Sequence, residues 1–570
     1  METNLNRTVA VAIANMLLSK HRKPDNSAVL EVQQPPQSSN VESPNGSCVM
    51  SSAVDVGTIT TQARVTQSTH IQKPQVKRTD YDSRDFFQAL FSKSPFRSDI
   101  LVSQDGNNLV EHGKTKLSDL KIENGKVFVK RKNENEWDKV LEIDGYIDER
   151  RLKAISPSIT ESKIYLLDPT GDKIQLVEIN RGDLSERKVI ASDDTFDVID
   201  VLYHPISREP EAVKVNGDYA EWKAVKPNSL MNDHLNFLES QGLGKADILS
   251  VDDNFETWAV CLSDSDKPPS YYIYKPKLGE LTLVKKDNKE LEEFELAKTI
   301  PFIFTARDGL PIHAFLTLPP NKKPENLPLI INVHGGPESS EDASWRGPDA
   351  QWSACRLGCA EVKVNFRGSS GRGRKFEELG HGQWGLQMQD DLADLVNFLK
   401  SVELNDKKLI NPDKITISGF SYGGYAALNS AAKSKDLFCC AVATEPPTDL
   451  TTGFDGPGGI YTNREKVILG DPIQDNERLQ RTSPAYYIDK MEIPVYIQWG
   501  MGPNSLGKSH AKPFIDGLEI KSSGVKDEIH HANNFTIRLF SSENHVISSI
   551  ENNQVLRKDI EEFLRRYLIN

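Results

Sequence analysis

The sequence predicts a C-terminal α/β unit, built on a mostly parallel sheet with helices on both faces. It predicts an all-β, propeller-like domain before that unit, and a disordered N-terminal tail. Three observations carry this reading. Residues 1–80 contain no Phe, Trp or Tyr. From about Asp85 to Leu296 short apolar runs are separated by turn residues. After Thr305 apolar runs alternate with helical patterns. The divisions that result are 1–84, 85–295 and 296–570.

Composition sets outer limits. The chain has 570 residues, with 69 Lys and Arg against 82 Asp and Glu, a net charge of −13. An acidic chain is a poor general binder of phosphate backbones, so no nucleic-acid partner is expected. No apolar run approaches the ~20 residues of a membrane helix, so no membrane partner is expected either. The six cysteines include no C-x-x-C pair. No metal-ligand constellation stands out, and neither metal nor cofactor is expected. A reduced, cytoplasmic setting is the simplest reading of the cysteines.

In the tail, Lys23 to Lys77 is rich in Ser, Gln, Asn, Pro and Thr. Such a segment cannot bury enough apolar surface to offset chain entropy. Val9 to Leu18 is a short apolar stretch, but its basic residues Lys20, Arg22 and Lys23 follow it. A secretory signal has the opposite order. A short docking helix, its partner unknown, or no structure at all are the readings left.

The middle segment reads as strands and turns. Lys126 to Lys130, Lys163 to Leu167 and Ile174 to Ile179 are strand-like, and Asp168-Pro-Thr-Gly171 is hairpin chemistry. A weak repeat links Lys163 to Ile190 with Thr257 to Lys285, whose turn is placed at Ser263 to Pro269. Antiparallel repeats of this kind suggest propeller blades. The 212 residues from 85 to 296 would hold about five blades of roughly 40–50 residues. A β-sandwich or irregular β-domain is the alternative.

In the C-terminal part, strands are expected at Leu327 to Val333, Cys359 to Phe366, Lys414 to Ser418, Ile493 to Gln498 and Phe535 to Phe540. A helix is expected over Asp390 to Lys400, with Leu392, Leu395, Val396 and Leu399 on one face. Cys355 and Cys359 fall four apart in another predicted helix.

Gly419-Phe420-Ser421-Tyr422-Gly423 is the most informative stretch. A β-rich segment precedes it and the small-residue run Ala426 to Ala432 follows, which is the strand–turn–helix context of a nucleophile elbow. Small neighbours let the backbone bend sharply at Ser421. The helix N-terminus favours developing negative charge. An ordinary tight turn with an exposed serine is the bland reading. His334-Gly335-Gly336-Pro337 follows a strand. The N–H groups of Gly336 and Tyr422 then form a candidate oxyanion hole. For His334 itself a structural hydrogen bond is expected. The base should follow the last strand, and His545 does. His530 and His531 read as loop residues.

These residues resemble the prolyl oligopeptidase family of serine peptidases, on its acylaminoacyl-peptidase and dipeptidyl-aminopeptidase-like side. The matching text is Thr305 to Leu310, His334 to Pro337, Val364 to Ser369, Trp384-Gly385 with Asp390-Asp391, and Gly419 to Tyr425. Leu202 to Pro205 and Arg208 to Ala212 also look like the family's propeller. The resemblance implies an α/β-hydrolase domain capped by a β-propeller that admits short peptides. It implies cleavage of short peptides or acyl-peptides through an acyl-enzyme on Ser421.

The sequence departs from the family in three places. Its β-rich segment is short for the family's propeller. Where the family carries G-x-x-D, the chain reads Gly500-Met-Gly-Pro503, with Pro503 in place of the acid. No carboxylate lies between Glu492 and Asp516, and Asp516 reads as a surface acid. Asn504 is the residue left to orient His545 by a hydrogen bond. Third, Asn544 and Val546 flank the histidine where glycines are preferred. Loss of the acid costs about 10⁴-fold in kcat in well-studied serine proteases, roughly 5–6 kcal/mol. Three states follow: active with an acid from elsewhere, weakly active, or a catalytically silent binding or scaffold protein. A small-ester esterase shares the machinery. Self-association is left open.

Gly368-Ser-Ser-Gly-Arg-Gly373 fits neither a dinucleotide nor a P-loop pattern. Arg367 reads as a buried ion-pair partner. Gly453 to Gly459 is a lid or an inert loop.

Overall fold

The computed structural model describes residues 77–570 apart from 83, 92–99, 103–108, 112–119, 124–125, 131–136, 143–157, 161, 346, 454–460, 504 and 519–527. The tail expectation for residues up to 76, the loop at 454–460 and Asn504 therefore lie outside the described residues.

Nine strands form the main sheet: β1 Thr299–Thr305, β2 Pro311–Thr317, β3 Leu327–Val333, β4 Ala360–Asn365, β5 Ile410–Phe420, β6 Cys440–Thr444, β7 Val495–Gly500, β8 Ile529–Ala532 and β9 Phe535–Phe540. Their order is β1-β2-β4-β3-β5-β6-β7-β9-β8. From β4 to β9 all neighbours are parallel, and antiparallel strands close both edges. The five strands expected at the centre are present. β6 is an addition, and it inserts between β5 and β7.

Helices cover both faces, as the apolar runs of the central strands require. Helix α1, Gln387–Ser401, buries Leu392, Leu395, Val396 and Leu399 against one face. Helix α2, Tyr422–Lys433, lies in the same core, as does part of α3, Gly507–Gly517. The other face meets Trp352 and helix α4, Ile550–Leu564. Phe86, Phe87 and Leu90 of the short helix Arg84–Phe91 join this second core, so that segment packs with the C-terminal half. Cys355 sits in the turn Trp352–Arg356, but Cys359 lies outside it, just before β4. The two do not share a helix. His530 and His531 belong to edge strand β8 rather than a loop, because β9 pairs with them.

Strand register decides where the site lies. Val333 stands opposite Gly419, Phe420 opposite Thr444, Thr444 opposite Gln498, and Gly500 opposite Phe540. The loops after β3, β5, β6, β7 and β9 therefore leave the sheet along one edge, where crevices of parallel sheets form.

Before β1 the chain builds successive antiparallel meanders. Two of them are four-stranded, one running from Ser158–Ile159 to Arg187–Ala191 and the other from Lys245–Val251 to Glu280–Lys286. Three-stranded sheets span Leu120–Glu123 to Trp137–Glu142 and Val198–Tyr203 to Ala220–Ala224. The repeated strands fall where the sequence places them. The expected turn at Ser263 to Pro269 contracts to Ser265 and Asp266, because cross-strand pairing extends from Trp258↔Tyr274 to Asp264↔Lys267. Helix Leu230–Ser240 separates two meanders and buries Met231, Leu235 and Leu238.

The Gly368–Gly373 loop is one of the places where this β-rich region meets the C-terminal unit. Asp197 N–H donates to Gly371 O at 2.9 Å, and Lys173 Nζ donates to Arg372 O at 2.7 Å. A Cβ at Gly371 would strike the Asn216 amide. The glycines are there for close approach.

Candidate active site

Ser421 follows the last residue of β5 and holds φ 57° and ψ −117°. A non-glycine residue in that region costs about 1–3 kcal/mol. The flanking glycines make the turn feasible. A Cβ at Gly419 would collide with the Gly423 backbone, and one at Gly423 would collide with Val333 O. Ser421 N–H donates to Thr444 O at 2.9 Å, tying the elbow to β6.

His545 Nε2 lies 3.1 Å from Ser421 Oγ. The imidazole packs against Phe420, with ring centroids 4.9 Å apart. The histidine loop is stapled by buried Glu543. Its carboxylate accepts from Ser548 N–H at 2.8 Å, Ser548 Oγ at 3.1 Å, Ser549 N–H at 3.3 Å and Asn552 Nδ2 at 2.7 Å. Burial alone would raise the pKa of Glu543, but these hydrogen bonds hold it below the usual carboxylate value. Gly502 N–H donates to Glu543 O at 2.7 Å, and a Cβ at Gly502 would lie 2.6 Å from Asn544 Oδ1. The loop after β7 thus gives the histidine loop a glycine-lined seat.

That same loop supplies no carboxylate. Pro503 is exposed. Asp516 is exposed on α3 and pairs with Lys512 at 2.5 Å, as a surface acid should.

The carboxylate beside His545 comes from β6. Glu445 follows Thr444, has φ 52°, and is 1% exposed. Its Oε1 accepts from Gln498 Nε2 at 3.0 Å and from Gly500 N–H. Its Oε2 lies 3.6 Å from His545 Nδ1. Burial raises the pKa of Glu445, and the neighbouring His545 opposes the shift. The sequence reading misses Glu445 because it misses β6. The available signal is Cys440-Ala-Val-Ala-Thr444-Glu445-Pro446-Pro447, a short apolar strand ending in an acid and two prolines.

Gly335 and Gly336 bring the β3 loop against the elbow. Gly336 has φ 41°, and a Cβ at Gly335 would stand 2.9 Å from Phe420 O. Tyr422 opens α2, where backbone N–H groups have no helical acceptor. His334 is structural: Nε2 meets Ser369 Oγ at 3.0 Å and its ring stacks on Phe366 at 4.5 Å. Arg367 is buried too, held by Asp391 at 2.7 Å and Asp308 at 2.8 Å.

These groups open on a cavity of about 810 Å³. Ser421, His545, Gly336 and Tyr422 all line it, with Trp384 and Pro447 as apolar wall. Arg464 also lines it, and pairs at 2.6 Å with buried Glu338, two residues beyond Gly336. Among the described residues no cluster of three or more His, Cys, Asp or Glu could hold a metal.

A serine on a strained strand–helix turn, a histidine from the last strand's loop and a parallel sheet beneath them define an α/β-hydrolase domain of the serine type. Residues 347–570 match the prolyl oligopeptidase family. The chain is 29% identical over 395 residues to dipeptidyl aminopeptidase BIII of Pseudoxanthomonas mexicana, covering 67% of this chain and 55% of that one. It is 26% identical over 481 residues to dipeptidyl peptidase family member 6 of Caenorhabditis elegans, covering 78% and 62%. The chain thus spans 55% and 62% of these two relatives. Among solved structures, Porphyromonas gingivalis dipeptidyl peptidase 4 superposes with a TM-score of 0.57 at 16% identity, over 82% of this chain and 61% of that one. Pyrococcus horikoshii acylaminoacyl peptidase gives 0.55 at 18%, over 78% and 66%. These likenesses support the fold, an α/β-hydrolase domain with an N-terminal β domain. No helix among the described residues is long and apolar enough to cross a membrane.

Proposed function

We propose that this protein is a serine peptidase that cleaves short peptides or acyl-peptides through an acyl-enzyme on Ser421. The observation that carries the reading is the 3.1 Å approach of His545 Nε2 to Ser421 Oγ at the strained elbow. His545 accepts the Oγ proton as Oγ bonds to the scissile carbonyl carbon, and the carbonyl π electrons move to oxygen. The N–H groups of Tyr422 and Gly336 receive that oxyanion. As the C–N bond breaks, His545 returns the proton to the leaving amine. Water then repeats the sequence on the ester and frees Ser421.

The names of the relatives, dipeptidyl peptidases and acylamino-acid-releasing enzymes, support short peptides or N-acylated peptides as substrates. The cavity size agrees with a few residues of substrate. The successive β-meanders support a shortened propeller that caps the site, with the domain division at 295/296. A cytoplasmic setting belongs to the same reading and rests on the cysteine pattern.

The test is turnover of short peptide anilides with free and with acylated N-termini, beside matching esters. Hydrolysis of the amides that vanishes in Ser421→Ala supports the reading. Turnover of esters alone favours an esterase. Absence of any Ser421-dependent turnover favours the scaffold reading.

A further inference from the structure

We propose that Glu445 is the acid of this site, so that Ser421, His545 and Glu445 act as a triad whose acid comes from β6 instead of the loop after β7. The inference rests on the Ser421–His545 reading and adds the residue that orients the histidine. Glu445 touches no substrate atom; it is a positioning residue that acts through the imidazole.

Four observations converge. First, the division of labour within the carboxylate is clear. Oε1 is satisfied by Gly500 N–H and Gln498 Nε2, while Oε2 is buried without a hydrogen-bond partner. Second, His545 Nδ1 is equally buried and equally without a partner. These two atoms face each other at 3.6 Å. Two complementary orphan groups at that distance need a shift of only about 0.6 Å to reach hydrogen-bond range, and catalytic contacts commonly tighten when substrate binds. Third, although its backbone leaves β6, the carboxylate rests on the end of β7. Gly500, the last residue of β7, is its donor, and Glu445 N–H donates to Gln498 O at 2.7 Å. The longer side chain of glutamate reaches from one strand to the next. Fourth, Glu445 is held at φ 52°. Only four described residues other than Gly, Asn and Asp have positive φ, and Ser421 and Glu445 are two of them. Strain kept at such a place is a mark of function.

The other nearby carboxylates are committed elsewhere. Glu543 is bound by Ser548, Ser549 and Asn552, and Asp516 pairs with Lys512.

The chemistry follows from the geometry. With Glu445 ionised, Nδ1 keeps its hydrogen and Nε2 presents its lone pair to Ser421 Oγ. When Nε2 takes the serine proton, the imidazolium is stabilised by the carboxylate, which stays unprotonated. Glutamine can keep the Gly500 hydrogen bond through its carbonyl but cannot stabilise that charge.

The experiment compares wild type, Glu445→Gln, Glu445→Asp and Ser421→Ala on one peptide anilide. Glu445→Gln is expected to lower kcat by about 10³- to 10⁴-fold with KM within about threefold. Glu445→Asp should recover at least about tenfold over Glu445→Gln. If Glu445→Gln does not fold, the proton NMR spectrum of the wild type decides. A far-downfield Nδ1 proton assigned to His545 supports the pair, and its absence over the whole titration overturns it. Retention of more than about a tenth of wild-type kcat in Glu445→Gln, with Ser421→Ala inactive, overturns Glu445 and leaves the serine–histidine reading intact. Turnover unaffected by Ser421→Ala overturns both.

Discussion

Ser421 Oγ and His545 Nε2 meet at 3.1 Å although 124 residues separate them in the chain. The approach is a product of register. β5 and β9 end on the same edge of the sheet; Gly419 and Gly423 let the elbow turn, and Gly500 and Gly502 of the neighbouring loop let the histidine loop close in.

Gly423→Ala places a methyl group against Val333 O at the junction of α2 and β3. Neither backbone can yield cheaply, and overpacking of a tight site costs about 1–3 kcal/mol. The variant is expected to melt several degrees lower and to lose reactivity at Ser421. An unchanged melting curve would contradict the packing described.

Arg367 is held by Asp391, which has no exposed surface, and by Asp308. Arg367→Met leaves Asp391 as an uncompensated buried charge, which costs about 3–5 kcal/mol. Calorimetry should show a Tm fall of about 6 °C or more. A shift within 1 °C, on the order of a surface substitution, would argue against the pair.

His510 is buried on α3, and Thr448 N–H donates to its Nδ1 at 3.3 Å. Burial pushes its pKa from 6.5 down to about 4, with Asp449 and Glu465 opposing and His545 adding slightly. The unfolded chain protonates this group near 6.5 and the folded chain only near 4. The stability it contributes is therefore full above 6.5, declines as pH falls toward 4, and is constant below that. The loss amounts to about 3 kcal/mol. The stability advantage of wild type over His510→Gln should shrink by that amount between pH 7 and 4, on the order of the linkage given. Parallel pH profiles in denaturant titrations would contradict it.

Gly371 has φ 82° where it meets Asn216 across the boundary between the β-rich region and the C-terminal unit. Gly371→Ala is expected to loosen that boundary and expose the β-rich region to limited proteolysis several-fold faster. Core residues of the main sheet should keep their hydrogen-exchange protection. Equal proteolysis rates would show that the glycine is not needed for close approach.

The serine, the histidine and the glycine loop were legible because each is announced locally, by a motif or by its place after a strand. Five of the nine strands are legible for the same reason; the edge strands β1, β2 and β8 are not, nor is β6, whose five residues follow directly on Phe438 and Cys439. Missing that strand hid Glu445, since its relation to His545 exists only in three dimensions. Asn504, offered from the sequence as the residue that orients the histidine, lies outside the described residues. The β-meanders were readable from alternation and turns. The place of helix Arg84–Phe91 in the C-terminal unit is not legible in the sequence, because its burial depends on a distant face made by Phe294, Trp352 and Leu556.

The most direct test is covalent. Folded protein is treated with a fluorophosphonate and the adduct is located by intact mass and peptide mapping, beside Ser421→Ala. A single rapid adduct on Ser421 that is absent from the variant is the predicted result. Folded protein that gains no adduct, while a control hydrolase is fully labelled, would contradict an activated serine at this site.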